Sequence, residues 1–168
     1  MPDPIMVSHL PFHHMTKIKT PTTVALGALL LACAAPAALA QTEAQPKLPT
    51  ANLTAGMYNI VAELAVTPQL WMLGLMFRRT MAAHEGMLFV GEQSEPRCFW
   101  MRNTYLPLTV AFLAEDGTII NLEDMQPQTD QSHCSTRPAR HVLEMNQGWF
   151  AKRGIKPGFK LQGPPFMP

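Results

Sequence analysis

Few side chains in this 168-residue chain have the types and spacing to do chemistry. The stretch "CFWMRNTYLPL", Cys98 to Leu108, sets four residues expected to be packed directly before Arg102, Asn103 and Thr104. A step from apolar to polar is either the rim of a site or the end of a buried strand. Arg78, Glu85 and Glu144 lie at the ends of other apolar runs or inside them. If those runs pack side by side, arginines and glutamates meet at one end of the fold. In the structural outcome Arg102 pairs with Glu85 or Glu144, while Asn103 and Thr104 bond loop backbone in the turn that leads to Pro107. In the alternative the same group floors a small pocket, with Trp100 as an apolar or stacking wall and Arg102 or Arg78 as an anion anchor.

No residue is singled out as catalytic, although Glu85 and Glu144 are the carboxylates a hydrolase would use as a base. Ser94, Ser132 and Ser135 sit in no Gly-x-Ser-x-Gly elbow, and there is neither a glycine-rich phosphate loop nor an obvious close pair of acids. Nine of the twelve methionines fall from Met57 onward, and His84, His133 and His141 could add nitrogen ligands. Yet Met76, Met87 and Met101 sit inside apolar runs, and outside the upstream extension that carries His9, His13 and His14 no His-x-x-x-His or Cys-x-x-Cys spacing occurs. Core filling accounts for them, so no metal and no cofactor is expected. Cys98 and Cys134, 36 positions apart, read as a disulfide in an oxidising compartment. Two buried thiols, or a nucleophilic Cys134 beside His133, are the alternatives.

The elements that must position these residues are short. Gln41 to Gly56 shows no apolar periodicity and reads as a flexible lead-in, with order beginning near Met57. "MYNIVAELAVT" reads as a strand with Asn59 and Glu63 on its wetter face. Thr67 and Pro68 suit the N-cap and first position of a helix over Gln69 to Met81. "GMLFV" and "CFWM" follow as apolar runs, "LTVAFLAEDGTIINLEDM" is a hairpin with Asp116-Gly117 as a two-residue turn, and "ARHVLEM" alternates as a strand with His141 and Leu143 on one parity and Val142 and Glu144 on the other. Beyond them lie a helical turn at Trp149 to Arg153, a Lys156-Pro157-Gly158 turn and a last short strand. Many short strands with one or two helices indicate a mainly β, β-rich α+β domain, a sandwich or barrel.

Six of these pieces, "GLMFR", "GMLFV", "FWMRNTYLPL", "AFLAEDGTI", "VLEM" and "GIKPG", fall in order between Tyr58 and Leu161. Together they resemble the domain of unknown function 192 family (DUF 192) of bacteria and archaea. The resemblance implies a small jelly-roll-like β domain, often exported, with no settled activity. Where that family often carries an acid after "PL", this chain has Thr109. A mechanism that needs a carboxylate there is in doubt.

Met1 and Met15 are both possible starts. From Met15, Lys17 and Lys19 form a basic head, Val24 to Ala32 an apolar run, and Ala38-Leu39-Ala40 a cleavage site before Gln41. That is the pattern of a secretory signal peptide over 15–40, with an upstream extension before it. Leu30-Leu31-Ala32-Cys33 offers the alternative of a lipoprotein anchored through Cys33. From Gln41 onward eleven Lys and Arg balance eleven Asp and Glu, without a basic stripe, so no nucleic-acid partner is expected. The expectation is a periplasmic or secreted single β domain over 57–168, with no transmembrane segment in the mature chain. It binds a small anionic or sugar-like ligand or another envelope protein. An envelope hydrolase using a Glu base and a purely structural or protein-interaction domain are the alternatives.

Overall fold

A computed structural model describes residues 42–166. The leader over 15–40, the Ala40/Gln41 cleavage site and the Cys33 anchor lie outside the described residues. In chain order the elements are β1 (Thr50–Ala55), β2 (Tyr58–Ala65), α1 (Pro68–Leu73), β3 (Glu85–Glu95), β4 (Cys98–Phe99), β5 (Leu108–Leu113), β6 (Ile119–Met125), β7 (His133–Cys134) and β8 (Ala139–Asn146). A 3-10 turn, Ala151–Arg153, follows. Six strands form one mixed sheet in the order β1-β2-β3-β8-β5-β6, and β4 pairs with β7 in a separate ribbon. Cys98 and Cys134 stand opposite each other in that ribbon and are joined by a disulfide.

Successive side chains in a strand point to opposite faces, and this sheet is covered on both. On one face Leu53, Ile60, Leu88 and Leu143 pack under Trp149, Phe150 and Leu161 of the C-terminal segment. On the other, Met87, Phe89, Val110 and Phe112 pack with Leu75 and Met101. β5 is buried along its whole length, as expected of an interior strand covered twice. The C-terminal segment also reaches both sheet edges. Ile119 N–H donates to Phe159 O (2.8 Å), Leu161 N–H to Gly117 O (3.0 Å), and Gln162 and Thr54 exchange two backbone bonds of 2.9 Å. Four residues, 159 to 162, span at most about 14 Å, so the sheet must curl strongly to bring β1 and the β5–β6 turn to the same strap. It curls without closing: β1 and β6 do not pair. The β-rich α+β class is present, and the barrel alternative is not.

Several local expectations change. The stretch read as a lead-in contains a strand, because β1 buries Ala51, Leu53 and Ala55 and exposes Thr50 and Asn52, a period-2 pattern carried by small residues. The helix expected over Gln69 to Met81 stops at Leu73. Thr67 Oγ1 caps it by accepting from Leu70 N–H (3.3 Å), and Gly74, at φ 47°, ends it by donating to Leu70 O (2.9 Å). Leu75 and Met76 continue the apolar spacing in irregular backbone. In the β5–β6 hairpin only Gly117 has positive φ; Asp116 instead accepts from Thr118 N–H (3.0 Å), which makes the turn longer than two residues.

β2 and β3 run parallel, so the chain between them must cross a face of the sheet. The crossing is held by Glu63, which is buried and not on a wetter face. Arg78 Nη1 donates to Glu63 Oε1 (3.0 Å) and Nη2 to Oε2 (2.8 Å) in a bidentate pair. Leu48 N–H also donates to Glu63 Oε2 (2.9 Å), and Lys47 Nζ lies 3.2 Å from Oε1 and 3.0 Å from Glu85 Oε2. Burial pushes the Glu63 carboxyl up, but the hydrogen bonds from Arg78 and Leu48 outweigh it and hold it below its ordinary value. The stability from this pair is present above the ordinary carboxylate value and is lost as pH falls below it, through the lowered value of the native state. Replacing Glu63 by Leu strands a buried guanidinium, so the urea midpoint should fall by the equivalent of about 3–5 kcal/mol; adding Arg78→Met should restore part of it.

Candidate functional site

A cleft of about 640 Å³ opens between the crossing segment and the stretch after β4. Strand alternation sends Phe99 and Met101 inward and leaves Cys98 and Trp100 exposed, so the four residues before Arg102 are not uniformly packed. Met101 N–H donates to Thr129 O (2.9 Å), and Thr104 N–H returns to Met101 O (3.0 Å). Between them Asn103 takes φ 56°, a left-handed conformation that asparagine tolerates well. The polar step is thus a turn and a rim together. Phe77, also left-handed at φ 62°, donates its N–H to Asn103 O (2.8 Å), which ties the two walls of the cleft to each other. Phe89 and Phe99, 4.8 Å apart edge to face, line the cleft, and Trp71 packs on both.

Glu144 reaches this cleft from β8 and is 4% exposed. Its neighbours across the sheet are Met87 on β3 and Val110 on β5, both fully buried. None of the hydrogen bonds or ion pairs among the described residues involves its side chain. Burial pushes its carboxyl up to about 8, so at neutral pH it is mostly an uncharged acid that can donate a hydrogen bond. At the mouth, Arg102 Nε donates to Asp130 Oδ1 (2.8 Å) and its guanidinium stacks 4.2 Å from the centre of the Trp100 ring. Arg97 stacks on Trp71 at 4.7 Å.

Trp100, Arg102, Asn103, Thr104 and Glu144 are therefore brought together, whereas Arg78 and Glu85 are not. Those two belong to the clamp on the crossing, where Lys47 and Ala82 N–H hold Glu85 below its ordinary value and make it a weaker base. Arg102 pairs with Asp130, not with Glu85 or Glu144, because its side chain turns outward over Trp100. Thr109 lies on the opposite face from Glu144; its hydroxyl donates to Asp124 and accepts from Gly148 N–H (2.9 Å). His133 Nδ1 sits 2.9 Å from Glu123 Oε2, and His141 is buried against Phe166. Among the described residues no three His, Cys, Asp or Glu side chains group as a metal site. Sequence reasoning missed Trp71, Phe89 and Arg97 in the cleft, since nothing local distinguishes a cleft-lining aromatic from a core one.

A curled, mixed β sheet carrying a two-stranded ribbon and a single short helix among the described residues defines a small β-rich α+β domain. The chain belongs to the DUF192 family (uncharacterized ACR), whose model matches residues 51–163. It is similar to a solved protein from Sinorhizobium meliloti 1021, whose description proposes a transcription regulator. The two are 38% identical over 71% of this chain and 97% of that one, with a TM-score of 0.67. It is also similar to a protein of unknown function from Novosphingobium aromaticivorans DSM 12444, at 32% identity over 74% and 94% of the two chains and a TM-score of 0.63. No curated protein matches it. No helix among the described residues is long and apolar enough to cross a membrane.

The raised Glu144 carboxyl makes a testable linkage. Between its ordinary value of 4.5 and about 8 the native state holds a proton that the unfolded state has released. Stability from this group is complete below about 4.5, declines as pH rises, and is lost by about 8. Glu144→Gln removes the titration. In urea titrations from pH 4.5 to pH 8, the wild type should lose a few kcal/mol relative to the Gln variant.

Proposed function

We propose that this chain is an exported envelope domain that binds a small ligand in the cleft beneath Trp100. The observation that carries the reading is Glu144. A carboxyl with no protein partner is costly inside an apolar cluster unless something it can donate to arrives there. A cleft of about 640 Å³ lies within the roughly 300–1,000 Å³ of small-molecule sites. The Asn103 turn and the Phe77 bond hold its mouth in shape before any ligand arrives. The regulator description of the Sinorhizobium meliloti protein does not extend to nucleic-acid binding here, because eleven cations balanced by eleven anions form no basic stripe. Export rests on the leader pattern before Gln41 and accords with the Cys98–Cys134 disulfide. A hydrolase with Glu144 as base draws on the same buried carboxyl, and its isosteric amide separates the two: Glu144→Gln keeps a donor for binding but ends turnover.

Native mass spectrometry of the protein, expressed with its own leader and isolated from the cell envelope, tests both parts. The expected polypeptide begins at Gln41 and is two hydrogens short, with extra mass that leaves on denaturation. Arg102→Ala should lose that extra mass while keeping the unfolding midpoint, since Arg102 is exposed. A lipid-bearing chain beginning at Cys33 would replace the secreted form by an anchored one. A bare polypeptide would favour a protein-interaction role.

A further inference from the structure

The cleft is chemically polarised from mouth to floor. At the mouth, Asp130 takes the Nε of Arg102 and Trp100 takes one face of its guanidinium, which leaves both Nη groups without a protein partner among the described residues. That planar fork is held in place and half exposed. Arg97 adds a second guanidinium, but its nitrogens are already used by Glu95, Gln93 O and Ala139 O, so it contributes charge and not donors. Between mouth and floor the lining is aromatic, from Trp71, Phe89 and Phe99. At the floor Glu144 offers a single polar group.

We infer that the cleft takes a small anion with a flat apolar body: its acidic group lies on the Nη edge of Arg102 and a carbonyl-type acceptor at its far end receives a hydrogen bond from Glu144. The inference rests on the ligand-binding reading and names the class of ligand. An amine at the floor is disfavoured by two guanidiniums at the entrance and by faces of Trp71 and Trp100 that cations already occupy. A ligand carboxylate at the floor would meet an acid with little to stabilise its charge.

Whether Glu144 keeps its proton depends on what faces it. The row across the sheet reads Glu63, Met87, Glu144, Val110 and Glu123, so the nearest acids on this face are two strands away on either side. Glu63 is neutralised by Arg78 of the crossing segment, and Glu123 lies beside His133 of β7. From the stretch after β4 the groups are Arg102 and the uncharged Asn103 and Thr104, and Arg97 stands at the other lip. Burial alone sets the protonation of Glu144.

Four small probes separate the possibilities: 4-acetylbenzenesulfonate, which has both ends; benzenesulfonate, anion only; acetophenone, carbonyl only; and 4-acetyl-N,N,N-trimethylanilinium, carbonyl with a cation. Affinities are read by ligand-observed NMR at about pH 6 and about pH 9.5. The sulfonate-ketone should bind at least about tenfold more tightly than each of the others at the lower pH. Arg102→Gln should erase its advantage over acetophenone, and Glu144→Leu its advantage over benzenesulfonate. In the wild type the ketone-dependent gain should fade as pH rises through about 8, whereas Glu144→Gln should keep it at both pH values. Equal or tighter binding of the cationic probe, or indifference to Arg102→Gln, overturns the inference. If none of the four binds but the envelope protein carries a releasable mass, the ligand class is wrong and the binding reading stands. If none binds and the mass is bare, both fail.

Discussion

The parallel pairing of β2 with β3 is the constraint from which much of the structure follows. Parallel neighbours cannot be joined by a hairpin, so nineteen residues between Ala65 and Glu85 must cross one face of the sheet and return. A six-residue helix supplies little of the rigidity this needs. The bidentate Glu63–Arg78 pair supplies it instead, by bonding a residue of β2 to the part of the crossing beyond the helix. The same carboxylate receives Leu48 N–H, and Gln45 Nε2 donates to Gly74 O (2.8 Å), so the segment before β1 is bound to the crossing as well.

The cleft depends on that fixed crossing. Its one wall, Leu73 to Phe77, hangs from Arg78, and its other wall is a turn stabilised by Asn103 in a left-handed conformation. Phe77 adopts such a conformation too, which a bulky residue does only when its surroundings compel it. The bond from its amide to Asn103 O joins the walls at the place where both backbones are unusual. Beneath them Glu144 occupies a position in β8 whose neighbours, Met87 and Val110, are apolar. Nothing in the packing calls for a carboxyl there, and this is why the proposed binding reading rests on that position.

Thr109 illustrates how a departure from family pattern can be structural. Its hydroxyl links Asp124 of β6 to the Gly148 turn on the face away from the cleft. A carboxylate at that place would stand beside Asp124 and would not reach Glu144.

Much of the fold is legible in the sequence. Apolar runs and alternation marked β2, β3, β5, β6 and β8, and Thr67-Pro68 marked the start of the helix, because these signals depend on neighbours within a few residues; Cys98 and Cys134 marked a disulfide but not the ribbon that carries it. Small-residue β1 and the early stop at Gly74 were harder, since alanines and threonines alternate weakly and Leu75 and Met76 keep helical spacing in non-helical backbone. The candidate site was legible only as a list. Trp100, Arg102, Asn103, Thr104 and Glu144 could be named, but so could Arg78 and Glu85, and the sequence put Glu63 on the wetter face. Which carboxyl is paired and which is left alone depends on strand order, and order places β8 beside β3 and β5 and Arg78 over β2. The sequence by itself determined the alternation, the charge balance and the residue types. Tertiary structure decided the company each carboxyl keeps, because burial and pairing are set by chain segments far apart in sequence.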